Sequence, residues 1–255
     1  MTATGPLDIQ RELYKWWNVA RELVNDGSEK LVIAMARAVG KIVDVGATAY
    51  GSDFILSEIP SIIGMLASDS KTDQKRLAGV LLLTEIAEKL GGNLGDSLDD
   101  ILTNVFVPLH DPRITVRDGA AQLLGAALQA ASRHPDAESM YRRVLDDVYI
   151  GFDSPLPEVV HGSLIAFPHL LFCCGGFMQS RYDTVAEAIV RFRSHRSSDV
   201  RRATIVLVGH LATWDHETFR ERHLYRFMPF LIEQMSRGAE RDAGQCSACP
   251  SHDSC

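Results

Sequence analysis

The residues of this sequence with the clearest potential for chemistry lie at its C-terminal end. Cys246, Cys249, His252 and Cys255 follow one another with two residues in each gap. Three thiolates and one imidazole are ligand types that bind zinc in a tetrahedral site. Uniform short gaps leave little chain to wrap around the ion, however, and no nearby apolar residues would supply a second shell. We therefore predict a cysteine-containing tail without regular structure, and keep a weak zinc site as the alternative.

Other sequence patterns that carry catalysis or bind cofactors do not occur. The sequence has no phosphate loop, no dinucleotide fingerprint and no nucleophile elbow. The run Gly91–Gly95 is rich in glycine, but it follows a helical pattern, whereas a dinucleotide-binding loop follows a strand. Glycines in that setting are typical of a helix end. We expect no catalytic residue, no cofactor and no small-molecule substrate.

Composition places the chain among globular proteins. Its 255 residues are 46% hydrophobic and 23% charged, with a formal net charge of −7. An acidic balance does not favour nucleic acid, and no apolar run reaches the roughly eighteen residues that a membrane span needs. The N-terminus lacks the basic and apolar regions of a secretory signal. Because the five cysteines form no spaced disulfide framework, we predict a reducing compartment, the cytoplasm.

A helix-opening pattern recurs through the chain, and its first positions lie 44, 41, 44 and 40 residues apart. The residues at the first position are Val32, Arg76, Arg117, His161 and Arg201. The third position is always small, and the residues there are Ala34, Ala78, Gly119, Ser163 and Ala203. A period in the forties, with small residues where helices approach closely, is typical of HEAT and armadillo solenoids.

Helical periodicity and short polar breaks divide the chain into helix pairs. We predict an all-α fold, a HEAT/armadillo-type α-solenoid of about five helix pairs plus an N-terminal helix. Residues 1–27 are expected to form that N-terminal helix as part of the array, residues 28–238 the solenoid, and residues 239–255 a disordered tail. Pro60 is expected to bend or interrupt the helix that contains it.

Polar residues near the helix starts have predicted structural roles. Asp111 and Asp199 are expected to cap helices. Pro112 then falls in the first turn of the helix that Asp111 caps. Arg117 and Arg201 lie about one turn further on and are expected to reach an acidic group of the adjacent repeat.

Most aromatic side chains fall within apolar helical stripes, as core residues do. Trp214 instead lies at a turn between two helices, and it is the candidate for an exposed interface aromatic. The adjacent Cys173 and Cys174 point to different faces of one helix, so one or both are expected in the core.

Five stretches occur in an order that is more specific than HEAT periodicity. They are Arg76–Ala87, Asn104–Leu124, Tyr149–Asp153, His161–Leu164 and Phe192–Arg201. Together they resemble the N-terminal HEAT region of the target-of-rapamycin (TOR) kinases. The resemblance covers about Ser28 to Arg241, and the sequence departs from the family after about Asp242.

This resemblance implies a non-catalytic protein-interaction scaffold. TOR proteins are very large serine/threonine kinases whose catalytic domain lies near the far C-terminus, and nothing in this chain resembles the kinase lobes. In the family the N-terminal solenoid holds raptor-type regulatory subunits and supports assembly of the signalling complex. The resemblance therefore implies a fragment of a TOR-type protein without enzymatic activity of its own. The alternative is an independent HEAT-repeat adaptor in transport or phosphatase assembly.

Overall fold

The computed structural model of the chain describes residues 28–50, 53–67 and 74–246, together with Lys15, Asn18 and Val19. In these residues every regular element is helical and none is a strand, which confirms the predicted all-α solenoid. Lys15, Asn18 and Val19 are helical, and the rest of the predicted N-terminal helix lies outside the described residues.

The chain divides into two compact units, unit 1 (Met1–Ser180) and unit 2 (Arg181–Cys255), where the sequence predicted one array. The helices of unit 1 are α1 (Glu29–Tyr50), α2 (Asp53–Leu66), α3 (Gln74–Leu90), α4 (Ser97–Asn104), α5 (Phe106–Leu109), α6 (Ile114–Ala131), α7 (Ala137–Phe152), α8 (Pro157–Cys173) and α9 (Gly175–Gln179). Those of unit 2 are α10 (Tyr182–Val190), α11 (Ser198–Trp214), α12 (His216–Thr218) and α13 (Leu224–Cys246).

Unit 1 is built from two layers of helices. One layer contains α1, α3, α6 and α8, which pack side by side in chain order, and α2, α4 and α7 lie against it. Apolar residues recur every three or four positions along these helices, as one buried helix face requires. On α1 the buried residues are Val32, Ala36, Val39 and Val43. The central helix, α6, buries residues on most of its sides, because it packs against α3, α4 and α8.

Unit 2 is organised around α11. Val200, Leu207 and Leu211 of this helix are fully buried or nearly so. The hydroxyl of Tyr182, at the start of α10, donates a hydrogen bond to the carbonyl of Leu211 at 2.8 Å. Phe227 and Phe230 bury one face of α13. Both units therefore use the same principle, in which each helix hides an apolar stripe against its neighbours.

Three helix bounds show how packing acts on the sequence pattern. α2 runs unbroken through Pro60, because a proline removes one hydrogen bond while Ile59 and Ile62 on either side stay fully buried. α3 ends before Gly91, whose φ of 51° lies in the left-handed region, as the glycine-rich run indicated. The backbone of α13 is helical to Cys246, so the predicted irregular tail does not begin at 239, and residues 247–255 lie outside the described residues.

Candidate interaction surface

The turn before α6 is held by two arginines from different repeats. Arg117 donates from Nη1 to the carbonyl oxygens of Asp111 at 2.7 Å and Pro112 at 2.9 Å. Arg76 donates from Nη1 to Oδ2 of Asp111 at 2.6 Å. The other carboxylate oxygen of Asp111 accepts from the backbone N–H of Arg113 at 2.9 Å. Since Arg117 and Asp111 are each only 3% exposed, these hydrogen bonds form a buried polar network.

The turn before α11 has the same arrangement 84 residues further on. Arg201 donates from Nη1 to the carbonyl oxygens of His195 at 2.7 Å and Arg196 at 3.0 Å. The Nδ1 of His195 accepts from the backbone N–H of Ser197 at 3.1 Å, as the carboxylate of Asp111 does in unit 1. Partial burial, with Arg196 and Arg201 nearby, lowers the pKa of His195. The unprotonated ring is the form that accepts this hydrogen bond.

The two turns correct the predicted helix starts. Arg113 occupies the N-cap position of α6 with an extended backbone, so Pro112 precedes the helix and does not lie in its first turn. The carboxylate of Asp111 accepts a hydrogen bond from the backbone N–H of Arg113 in the turn, and not from an N–H group in the first turn of the helix. A residue before proline is held in an extended conformation, which places Asp111 outside the helix. Asp199 lies inside the first turn of α11. There its carboxylate faces the positive end of the helix dipole without being the cap.

The link to an acidic group of the neighbouring repeat is made by Arg76, which the sequence pattern did not single out for this role. The described hydrogen bonds of Arg117 go instead to backbone carbonyls and to His161. Its Nε lies 3.1 Å from Nδ1 of the His161 ring, on α8. Residues at the first position of consecutive copies therefore touch, which ties α6 to α8.

The small third positions differ in burial. Ala78, Gly119, Ser163 and Ala203 are buried. A Cβ placed on Gly119 would lie 3.1 Å from Cγ1 of Val80, so α6 and α3 approach closely there. Ala34 is exposed, contrary to the expected close approach.

Ion pairs link the second layer of unit 1 and are repeated at equivalent positions in unit 2. Arg143 of α7 pairs with Asp99 of α4 in unit 1. In unit 2 the equivalent acid, Asp183 of α10, contacts Arg222 at 2.6 Å and Nε2 of His223 at 2.7 Å. The hydrogen bond from His223, followed by that from Arg222, lowers the pKa of Asp183. These pairs are largely exposed, so they contribute more to register than to stability.

Exposed apolar side chains flank two turns at one edge of unit 1, which we call the turn edge. The residues are Val107 (41% exposed), Ile114 (41%), Ile150 (70%) and Leu156 (52%). The α5–α6 and α7–α8 turns share this edge because α8 meets the end of α5. A Cβ placed on Gly162 of α8 would overlap the carbonyl oxygen of Leu109, so the two backbones touch there. Exposed apolar side chains near two neighbouring turns are typical of a protein-binding surface.

A cavity of about 500 Å³ opens between the starts of α4 and α7. Asp96, Asp99, Asp100, Asp136 and His134 are among its lining residues. One of these carboxylates, that of Asp99, is already paired with Arg143. Within the described part of the chain, no three His, Cys, Asp or Glu side chains are arranged to hold a metal ion.

The remaining candidate residues are placed as follows. Trp214 is half-buried at the end of α11, where its ring stacks on Tyr182 with centroids 5.4 Å apart and planes 17° from parallel. Cys174 is buried and Cys173 is half-buried, and burial raises the pKa of both thiols. The side chains of Cys246, Cys249, His252 and Cys255 lie outside the described residues. None of the described helices has the length and apolar character needed to cross a bilayer.

Comparison with known proteins connects this chain to one group of kinases. No protein-family model matches it. It is 26% identical over 208 residues to serine/threonine-protein kinase tor1 of Schizosaccharomyces pombe, which covers 81% of this chain and 9% of the kinase. It is 28% identical over 218 residues to TOR of Arabidopsis thaliana, covering 84% of this chain and 9% of that protein. It is 27% identical over 234 residues to TOR of Oryza sativa subsp. japonica, covering 90% of this chain and 9% of that protein.

The chain thus spans about 9% of the length of the curated relatives it matches. Among solved structures, a TOG-domain structure of crescerin, which uses a TOG domain array to regulate microtubules in the primary cilium, has a TM-score of 0.50 at 13% identity. That similarity covers 86% of this chain and 89% of the other, and it supports the fold alone. By sequence and fold together, the chain is an α-helical repeat solenoid that is similar in sequence to a segment of the target-of-rapamycin (TOR) serine/threonine kinases.

Proposed function

We propose that this chain is a non-catalytic scaffold that supports assembly of a TOR signalling complex through protein–protein contacts. The observation that carries the proposal is the match to TOR kinases along 81–90% of the chain, in a part of those proteins that forms helical repeats here. Repeats of this kind expose a long surface while each repeat is held by its neighbours. The partner is a raptor-type regulatory subunit, and the complex works in the cytoplasm.

The turn edge is the part of unit 1 that we assign to this contact. Its four side chains are apolar, and each is at least 41% exposed. The backbone beneath them is fixed, since Arg117 and Arg76 bind the α5–α6 turn and the second turn is set by α8 meeting α5. A fixed backbone lowers the entropy cost of binding, which favours a specific contact.

The scaffold function also means that this chain does not transfer phosphate. Phosphoryl transfer requires groups that cradle the phosphates, carboxylates that hold magnesium, and a residue that orients the acceptor. The sequence has neither a glycine-rich strand turn nor a kinase catalytic-loop pattern that would gather these groups around a nucleotide. We expect no change in melting temperature with magnesium-ATP at saturating concentration, because stabilisation follows ligand concentration over the dissociation constant.

Co-purification with a raptor-type subunit tests the scaffold function. The chain should retain the subunit, and the double variant Ile150→Asp, Leu156→Asp should lose most of it, because two carboxylates would be desolvated in the contact. Phe172→Asp is the matched control, since Phe172 is 52% exposed at the opposite end of α8 from Leu156. Circular dichroism should show the same helicity for all variants.

Three results would contradict the proposal. If neither this chain nor the same region of a full-length TOR protein retains the subunit, the scaffold assignment is wrong. Equal loss with Phe172→Asp would show that the turn edge is not the contact. A reproducible magnesium-dependent thermal shift, abolished by a point substitution in one repeat, would argue for nucleotide chemistry instead.

A further inference from the structure

Each of the two exposed isoleucines of the turn edge has a carboxylate one helical turn away. Asp118 follows Ile114 by four residues on α6, and Asp146 precedes Ile150 by four residues on α7. Residues four apart lie side by side on the surface of a helix. Both aspartates are exposed. The apolar side chains of the turn edge therefore lie beside negative charge.

The α7–α8 turn adds further negative charge. Residues 144–160 contain no lysine, arginine or histidine, and the carboxylates in this segment are Asp146, Asp147, Asp153 and Glu158. Asp153, three residues after Ile150, is exposed, and Glu158, two residues after Leu156, is partly exposed. We call Asp118, Asp146, Asp153 and Glu158 the acidic rim of the turn edge.

The arginines that precede this segment are engaged by other acids. Arg142 and Arg143 lie one helical turn before Asp146 on α7. Arg142 contacts Glu138 at 3.1 Å, and Arg143 pairs with Asp99 of α4. Both pairs draw the guanidinium groups toward the start of α7. The charge of the acidic rim at the end of α7 is therefore not balanced by these two cations.

On the α6 side the charge of Asp118 is also incompletely balanced. Its neighbour Arg117 is buried and donates to backbone carbonyls of the α5–α6 turn. The Nε of Arg113 lies 3.7 Å from a carboxylate oxygen of Asp111. Partial burial raises the pKa of Asp118, and Arg117 offsets this effect only in part. A cation brought beside such a carboxylate stabilises its charged form.

We propose that the turn edge binds a partner-protein segment in which apolar side chains are flanked by lysine or arginine. The inference rests on the proposed scaffold function and names the chemistry of the partner at the same site. The partner's apolar side chains cover those of the turn edge, and its basic side chains pair with the acidic rim. An apolar centre with a polar rim is the usual anatomy of a specific interface. The same rim repels nucleic acid and anionic lipid.

The two parts of the surface have different kinetic effects. Charges at the rim of an interface mainly raise the association rate constant, and salt screens their effect. Apolar side chains at the centre mainly slow dissociation, since they must be returned to water when the partner leaves. A change in the acidic rim should therefore alter the association rate and its salt dependence, while the dissociation rate stays nearly constant.

Biolayer interferometry with the full chain and a purified raptor-type subunit tests this separation. The double variant Asp118→Lys, Asp146→Lys should lower the association rate constant about tenfold at low ionic strength and weaken its salt dependence. The neutralising pair Asp118→Asn, Asp146→Asn should give a smaller fall, in proportion to the smaller change in charge. Neither pair should change the dissociation rate constant by as much.

The matched control is the double variant Asp100→Lys, Asp136→Lys. Both residues are exposed and line the cavity between the starts of α4 and α7, away from the turn edge. The variant changes the net charge of the chain by the same amount as Asp118→Lys, Asp146→Lys. Its association rate constant should stay close to that of the unchanged chain, and circular dichroism should show equal helicity for all variants.

Two fluorescein-labelled peptides of equal length provide a probe that does not depend on the subunit. One is composed of leucine and lysine, and the other of leucine and glutamate. In fluorescence anisotropy the full chain should bind the lysine peptide more tightly than the glutamate peptide. Ile150→Asp, Leu156→Asp should weaken binding of the lysine peptide because it removes the apolar centre, and Asp118→Lys, Asp146→Lys should weaken it because it reverses the rim. Asp100→Lys, Asp136→Lys should not.

Equal effects of the rim variant and the cavity variant would overturn the proposal, because they would show attraction to the net charge of the chain alone. Tighter binding of the glutamate peptide would also overturn it. Binding of the subunit with an association rate that the rim variants leave unchanged would refute the basic partner segment while the scaffold function stands. Failure to bind the subunit, with selective binding of the lysine peptide at the turn edge, would refute the named partner of the scaffold and support the chemistry of the surface.

Discussion

The Nε of Arg117 lies 3.1 Å from Nδ1 of His161, and both side chains are buried. These residues occupy the first position of consecutive repeats, 44 residues apart. The same arginine also fixes the turn at Asp111, so one side chain joins the start of α6 to both the preceding turn and the following repeat. The repeat that begins at Arg117 is thereby oriented by polar contacts as well as by apolar packing.

Arg117→Met should lower the free energy of unfolding by about 1–3 kcal/mol, because two buried carbonyl oxygens and one imidazole nitrogen lose their donor. Urea unfolding followed by circular dichroism measures the change. Arg133→Met, at an exposed position of unit 1, should stay within about 0.5 kcal/mol. Equal effects of the two substitutions would mean that the Arg117 network does not stabilise the fold.

Gly162→Ala should destabilise unit 1, because its methyl group would overlap the backbone carbonyl of Leu109, which no side-chain movement relieves. We expect at least the roughly 1–3 kcal/mol of an overpacked core. Gly64→Ala is the matched substitution within a helix and has open space, so it should be neutral or stabilise by about 0.5–1 kcal/mol. The melting temperature should fall for Gly162→Ala and stay the same or rise for Gly64→Ala, and an equal fall for both variants would contradict the contact between α8 and α5.

Gly119→Leu should force α6 away from α3, since even a Cβ would lie 3.1 Å from Val80. Overpacking of this size costs about 1–3 kcal/mol. The melting temperature should fall, whereas Gly64→Leu on the exposed face of α2 should leave it nearly unchanged. An unchanged melting temperature for Gly119→Leu would mean that the repeat register is wrong.

His195 should make stability depend on pH. Its pKa in the folded chain is lowered, mainly by burial, so the unfolded chain binds more protons below an ordinary histidine pKa of about 6.5. The free energy of unfolding should therefore fall as the pH decreases from about 7.5 to 5. His195→Asn keeps an acceptor for the N–H of Ser197 but does not titrate, so it should reduce this slope in urea titrations. An unchanged slope would exclude His195 as a source, leaving His110, whose pKa burial also lowers.

Removal of residues 247–255 should leave the helical circular dichroism and the melting temperature unchanged. The described core of unit 2 is formed by residues that precede this segment. Addition of a chelator to the full chain should have no effect either, because the fold needs no metal in this interpretation. A zinc-dependent loss of helix would instead support the site at Cys246, Cys249, His252 and Cys255.

The helices themselves follow from local pattern. Apolar residues at intervals of three and four on α1 and α11 and the glycine at position 91 act within a few residues, so their consequences are visible in the sequence. The small third positions also indicated where α6 meets α3 at Gly119. Polar roles were harder to predict. Asp111 was expected to serve its own helix, yet its carboxylate binds Arg76 from another repeat.

The sequence by itself determined that the chain is an array of helices with a period in the forties, because helix formation and repeat spacing are set by neighbouring residues. Only the tertiary structure decided which side chains meet across that array. Arg117 reaching His161, Trp214 stacking on Tyr182 and Gly162 touching Leu109 each depend on how two helices are placed, and that placement is set by the whole of their buried surfaces. Residues so far apart in the chain carry no local signal of such a contact.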